Sequence, residues 1–226
     1  TFRIDDSRLQ ALMGTVVEEA TAYIPGTSFR ANGPLLITHW GMSGPAILKL
    51  SSHAARHLAE NDYRQPLAIN WLSRNDEAIK QELIRLSIEG GKKQLASLRP
   101  FPSPAGDTGG GIPARLWAYL TQKALGQRAQ SPWMTLNQKE INRLTNILAN
   151  DTYPITGRAP FKDEFVTCGG IALSSVSPTT LESHHVPHLY FAGEVLDIDG
   201  ITGGFNFQAA WTTAFTVAQA IAREAR

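Results

Sequence analysis

The feature that most constrains the fold lies near the C-terminus, where residues 186–222 read VPHLYFAGEVLDIDGITGGFNFQAAWTTAFTVAQAIA. The hydrophobic period changes within this stretch. His188 to Ala192 is a short apolar run with two aromatics that stops at Gly193, which predicts a strand buried on both faces of a parallel sheet. From Gln208 onward, Trp211, Ala214, Phe215, Ala218, Ile221 and Ala222 recur at the spacing of one helix face, and the alanines predict a helix seated close on that sheet. Between the two elements, Gly193-Glu194 sets a carboxylate at the strand's C-terminal end. Gly203-Gly204-Phe205-Asn206 then sets bare backbone N–H groups at the helix start. Strand, glycine turn and helix in that order make a ligand-binding geometry.

A flavin suits this loop physically. A helix N-terminus carries roughly half a positive charge, and a reduced flavin is an anion with its charge spread over N1 and the C2 carbonyl. Glycine at 203 and 204 lets the backbone approach a flat ring, and Glu194 can accept hydrogen bonds from sugar or ribityl hydroxyls. Any α/β protein can also carry a Gly-Gly turn between strand and helix for packing alone.

Three strings extend the reading. YFAGEVLDIDGITGGFNFQAAW, the preceding VTCGGIALSSVSPTTLES and the distant LLITHWGMSGPAIL together resemble the HI0933-like family of FAD-dependent flavoproteins. The resemblance spans nearly the whole chain and is loose between about Arg74 and Asn150. It implies an α+β multidomain architecture: a small β-barrel with an inserted α-helical subdomain, followed by the C-terminal strand, loop and helix of a glutathione-reductase-like FAD domain. The corresponding expected boundaries are 1–74 and 151–168 for the barrel, 75–150 for the helical insert and 169–226 for the flavin part. Loop chemistry and resemblance together assign Gly170, Gly193, Glu194, Gly203, Gly204, Phe205, Asn206 and Phe207 to the cofactor.

Composition narrows the partners. Twenty-one basic and 20 acidic residues give a net charge of +1, so no broad footprint for nucleic acid or an anionic membrane is expected. A 42% hydrophobic content with a mean hydropathy of −0.17 predicts a soluble globular chain, and no apolar run reaches the roughly 18 residues of a membrane span. The single cysteine, Cys168, permits no internal disulfide and no CxxC motif, which fits a reducing cytoplasm. The chain opens at Thr1 and has no dinucleotide fingerprint ahead of the barrel, so the expected partner of its flavin loop is an absent N-terminal half of the same FAD domain. Gly109-Gly110-Gly111-Ile112-Pro113-Ala114 is near GxGxxA, but SPAGDT precedes it where a hydrophobic strand is required.

The rest of the chain follows local rules. Leu9, Leu12, Met13, Val16, Val17 and Ala20 fit one helix face although Thr15, Val16 and Val17 are β-branched, and here the resemblance implies a short helix ending near Gly14 and a strand over about Thr15–Tyr23; Leu35–Thr38 forms the core of the next strand. Ser43 is the expected N-cap of a helix that opens with Pro45, and Gln65–Ser73 reads as another strand. Asn75 caps a helix carried by Ile79, Leu83 and Leu86. Either Thr135 with Gln138 or Asn137 with Glu140 forms a capping box before Ile141, Leu144 and Leu148.

His39, where a strand meets the Gly41–Pro45 turn, is the one candidate proton donor or acceptor. Its competing role is an orienting side chain held by nearby backbone. His184, His185 and His188 read as a surface loop in preference to a metal site, and Cys168 as a small buried residue in preference to a redox thiol. The expected function is a flavoprotein oxidoreductase that uses FAD and NAD(P)H to reduce a small organic substrate, with no nucleic acid partner. The alternative is a binding module for a partner protein or RNA in which the flavin is structural or absent.

Overall fold

The computed structural model describes residues 1–101, 111–158, 166–200 and 204–224. The chain divides into two compact units, Thr1–Ala159 and Pro160–Arg226. The first is built on one antiparallel sheet. In chain order its strands are β1 (Phe2–Arg3), β2 (Val16–Tyr23), β3 (Arg30–Thr38), β4 (Gly41–Ser43), β5 (Pro66–Asn70), β6 (Asp151–Pro154) and β7 (Gly157–Arg158). They lie in the order β6-β5-β2-β3-β4-β1-β7. The outermost strands, β6 and β7, are consecutive in sequence and separated by Ile155 and Thr156 alone. The Ile155 N–H bonds to the Gln65 carbonyl and the Thr156 N–H to the Arg3 carbonyl. A two-residue link between opposite edges forces the sheet to curl, yet no ladder joins β6 to β7, so the curl stops short of a closed barrel.

The THWGMSGP motif owes its glycines to this curl. A Cβ on Gly41 would lie 2.4 Å from the Phe2 carbonyl oxygen, and one on Gly44 2.9 Å from both the Leu36 nitrogen and the Pro34 oxygen. Both residues also have positive φ, 145° and 93°. Gly44, rather than Ser43, occupies the cap position of α2 (Pro45–His53), which has no side-chain cap; Ser43 is spent in β4, paired with Leu36. Pro45 takes the first helical position, where its missing N–H costs nothing. A further short helix, α3 (Ala55–Glu60), follows.

The helices of the 75–150 segment pack on the same core as the sheet. In α4 (Asp76–Glu89) the Asn75 side chain accepts the Ala78 N–H, and Ile79, Leu83 and Leu86 face inward. Next come α5 (Ala114–Leu125), two 3-10 turns at Gly126–Gln130 and Trp133–Thr135, and α6 (Gln138–Asn150). One continuous cluster of buried residues runs from Phe2, Leu35 and Ile37 through Ile69 and Trp71 to Leu83, Leu120, Leu144 and Leu148. Trp117 and Trp133 stack within it at 6.1 Å, and the Trp117 indole N–H donates to the Leu95 carbonyl.

Two polar devices fix these helices. At the start of α6 the capping box is Asn137 with Glu140: the Asn137 side chain accepts the Glu140 N–H, and Glu140 accepts the Asn137 N–H. Arg128, from the first 3-10 turn, donates to both Glu140 oxygens at 2.5 and 3.2 Å and to the Thr135 carbonyl. The arginine, with the backbone bond second to burial, holds the Glu140 carboxyl below its ordinary pKa. The second device is Asp151, 1% exposed at the start of β6. Its carboxylate accepts from Lys123 Nζ at 2.5 Å, the Tyr153 hydroxyl at 2.5 Å and the Trp71 indole N–H at 3.1 Å. The Lys123 ammonium also sits 3.9 Å from the centre of the Tyr153 ring. Tyr119 extends the chain of contacts, donating to Asp6 at 3.2 Å, while Asp6 caps α1 (Ser7–Gln10). Burial first, and the nearby carboxylate second, push the Tyr153 phenol well above its usual range.

The second unit has a small core. Val176, Leu181 and Leu196 are buried, with Ile171, Phe191, Ile198 and Val217 packed around them. The strand expected over His188–Ala192 does not form. Its residues make one isolated bridge, Glu182 with Tyr190, and Leu189 is 40% exposed. A strand buried on both faces needs strands beside it and helices above and below, and no described residue of 166–200 supplies them. The helix does form, as α7 (Gly204–Glu224), but it turns the other way. Trp211 and Phe215, expected on the buried face, are 69% and 64% exposed, whereas Thr213, Val217 and Ala220 lie inward.

Two stability predictions follow from the polar devices. Asp151→Leu strands the Lys123 ammonium and two buried donors, and should cost about 3–5 kcal/mol in urea unfolding. Adding Lys123→Met should recover most of that loss. A single-variant cost below about 1 kcal/mol would show that the network is not holding the helices. Glu140 sets an acid dependence. Because its folded pKa lies below its ordinary 4.5, its contribution is complete above that value and is lost as pH falls through the folded pKa. The melting-temperature gap between the wild type and Glu140→Gln should therefore be widest near neutrality and shrink as pH falls from 4.5 through the folded pKa. A gap independent of pH would remove the carboxylate from this role.

Candidate functional site

Around α7 the structure separates residues that shape the loop from residues that leave it open. Gly170 belongs to the first kind. A Cβ there would lie 2.6 Å from the Val195 carbonyl oxygen and 2.7 Å from the Leu196 carbonyl carbon, because the chain crosses itself at this point. The Ile171 N–H bonds to Val195, the Asp197 N–H bonds to Ile171, and Ile171 and Leu196 form a parallel bridge. Gly193 has φ of 78° and opens a 3-10 turn over Gly193–Val195. Its N–H donates to the Thr213 hydroxyl at 2.9 Å, which fixes the turn to α7. Glu194, exposed on that turn, accepts the Thr167 N–H on Oε1 at 3.2 Å, and among the described residues Oε2 takes no hydrogen bond.

Gly204 is of the second kind. It is the first residue of α7, and nothing lies within 4 Å of where its Cβ would stand. The N–H groups of Gly204, Phe205 and Asn206 lie in the first turn of that helix, where backbone donors have no intrahelical partner. Gly203 lies outside the described residues. Phe205 and Phe207 are exposed, and Gly200, which the sequence reading passed over, lies under the Phe205 ring; a Cβ there would stand 2.0 Å from Phe205 Cδ1. Phe207, Trp211 and Phe215 follow one another at every fourth position, so α7 shows one exposed aromatic stripe.

The other candidates are placed plainly. His39 is in the first unit, exposed on the turn between β3 and β4, edge-on to Trp40 with ring centres 4.4 Å apart. Cys168, expected to be buried, is exposed. His184 and His185 are exposed as expected of a surface loop, but His188 meets two carboxylates. His188, Glu182 and Glu224 bring ligand atoms within 4.8 Å of one another, and the Tyr190 hydroxyl donates to Glu224. Glu224 is 42 positions from Glu182, so spacing alone did not reveal that cluster.

The first unit carries a polar groove that sequence reading also missed. It lies between α5 and α6, measures about 430 Å³, and is lined by Lys123, Ala124, Asn142, Arg143, Asn146 and Ile147. The signal was present as the polar stripe Lys139, Asn142, Arg143 and Asn146 on the face of α6 opposite Ile141, Leu144 and Leu148.

Comparison with known proteins identifies this combination of units. The chain is 34% identical over 214 residues to a ribosomal RNA dihydrouridine synthase of Escherichia coli, covering 93% of this chain and 47% of that protein. It is 28% identical to the protein of the same name in Haemophilus influenzae, over 99% of this chain and 50% of the relative. It is 27% identical to the 3-dehydro-bile acid delta(4,6)-reductase of Clostridium scindens, over 96% of this chain and 48% of the relative. The chain thus spans about half the length of the curated relatives it matches.

These relatives correct two expectations. The first two are named for ribosomal RNA, which overturns both the small organic substrate and the exclusion of nucleic acid. The reason is physical: a net charge of +1 sums the whole chain, whereas attraction to phosphate acts over about 10 Å in ordinary salt and depends on local faces. The membrane expectation stands only in its structural form, since no helix among the described residues is long and apolar enough to cross a bilayer. The model of the HI0933-like protein barrel and H2TH domain matches residues 1–166, and with a curled sheet carrying a helix, two turns and a helix, the chain belongs to the HI0933-like family.

Proposed function

We propose that this chain is the RNA-engaging part of a ribosomal RNA-modifying protein that converts uridine to dihydrouridine. The observation that carries this reading is the 34% identity to a ribosomal RNA dihydrouridine synthase across 93% of the chain. In this reading the curled sheet and its helices form the RNA-facing unit, and residues 169–226 contribute the C-terminal part of a glutathione-reductase-like flavin domain.

The second unit suits a flavin at one edge. The start of α7 offers N–H donors beside a Gly204 position where no described residue outside its chain neighbours lies within 4 Å of a Cβ, which suits the approach of a flat anionic ring edge. Glu194 Oε2 is available for a sugar or ribityl hydroxyl. Gly170 and Gly193 hold the loop in shape, because their surroundings are protein backbone and the Thr213 hydroxyl. Gly204, Phe205, Asn206 and Glu194 would hold the flavin, which as FAD recharged by NAD(P)H would deliver a hydride to the uracil C5–C6 double bond, with a proton from an acid or water completing the saturation. Phe207, Trp211 and Phe215 form an exposed aromatic stripe along α7.

Ribosomal RNA from cells lacking the gene, digested to nucleosides and analysed by mass spectrometry, should have lost dihydrouridine that returns when the wild-type gene is restored. Unchanged dihydrouridine would end this reading. The two glycines should also separate in the full-length protein. Gly170→Ala should lower stability by about 1–3 kcal/mol through overpacking. Gly204→Val should leave folding within about 1 kcal/mol of wild type but reduce the flavin absorbance retained on purification. Full retention by Gly204→Val would place the flavin elsewhere.

A further inference from the structure

The groove between α5 and α6 has a chemistry that neither the fold nor the flavin loop uses. Its floor is apolar, made of Ala124, Ile147 and the stem of Lys123, whose ammonium is turned inward to Asp151 at 2.5 Å. Its α6 rim carries Asn142 and Asn146, one helical turn apart, each offering amide donors and an acceptor. Arg143 stands beside them and Lys139 one turn before, both exposed. Neither makes a hydrogen bond or ion pair among the described residues. No carboxylate lines the groove, and the one acidic side chain within α6, Glu140, is buried and neutralised by Arg128.

We propose that this groove holds one unpaired nucleotide of the RNA. The proposal rests on the RNA reading above and deepens it by naming the surface that takes the strand. A volume of about 430 Å³ falls in the range of small-ligand clefts, roughly 300–1,000 Å³, and suits a base with its ribose. The apolar floor receives the flat face of the base, while the two asparagine amides read its edge or the ribose 2′-hydroxyl. The exposed guanidinium of Arg143 takes the adjoining phosphate, and Lys139 lies where the backbone continues along α6. An acidic peptide fits less well, because such partners are held by clusters of cations, and here paired amides surround a hydrophobic floor.

The test uses the full-length protein and a fluorescein-labelled, unstructured RNA of roughly 20 nucleotides, followed by anisotropy over a salt series. Asn142→Ala with Asn146→Ala should weaken binding about tenfold. Arg143→Gln should weaken it severalfold and make the slope of log affinity against log salt shallower by about one. All three positions are exposed, so melting temperatures should match wild type. Polyglutamate should fail to displace the RNA. Wild-type affinity and salt slope in the folded variants would overturn the groove assignment, as would displacement by polyglutamate. The RNA reading would survive either result wherever deleting the gene still removes dihydrouridine from ribosomal RNA. Absence of RNA binding by the wild type would overturn the groove assignment as well.

Discussion

A single buried carboxylate governs how the first unit is assembled. Asp151 opens β6, immediately after α6 ends, and gathers donors from α5, from β6 itself and from the segment after β5. A carboxylate that is 1% exposed is tolerable only with its charge matched and its oxygens bonded, and Lys123, Tyr153 and Trp71 meet both needs. Sheet and helices are therefore one body with one core. The same Lys123 that answers Asp151 lays its stem along the α5–α6 groove, so the interior pair also sets the shape of an exterior surface.

Local signals were legible where the chemistry is local. Asn75 caps α4, the Asn137–Glu140 box starts α6 and Pro45 opens α2, whereas β2 is indicated by the family resemblance, since periodicity alone fits one helix there. What failed depended on distant partners. Periodicity showed that Trp211, Ala214 and Phe215 share one face of α7, but it does not say which face is covered, and the covered one carries Thr213, Val217 and Ala220. The run His188–Ala192 has the composition of a central strand, and composition cannot supply the neighbours such a strand needs. Asp151 gave no warning either, since its three partners come from positions 71, 123 and 153.

The candidate site shows the same division. The glycine-rich string located the start of α7. Gly170, from an equally prominent string, lies where two backbone segments cross. Overall charge does not describe a local face, so it gives no ground for excluding nucleic acid. A balance of 21 basic and 20 acidic residues hides an α6 surface with two exposed cations, Lys139 and Arg143, several amides and no exposed carboxylate.

Contact between RNA and the α5–α6 face is tested most directly by photocrosslinking the full-length protein to RNA containing 4-thiouridine and mapping the modified peptides. Adducts should fall within α6 and the facing end of α5, around Asn142, Arg143, Asn146 and Lys123. Adducts confined to other segments, with α5 and α6 unmodified at saturating RNA, would contradict the assignment of this face to RNA.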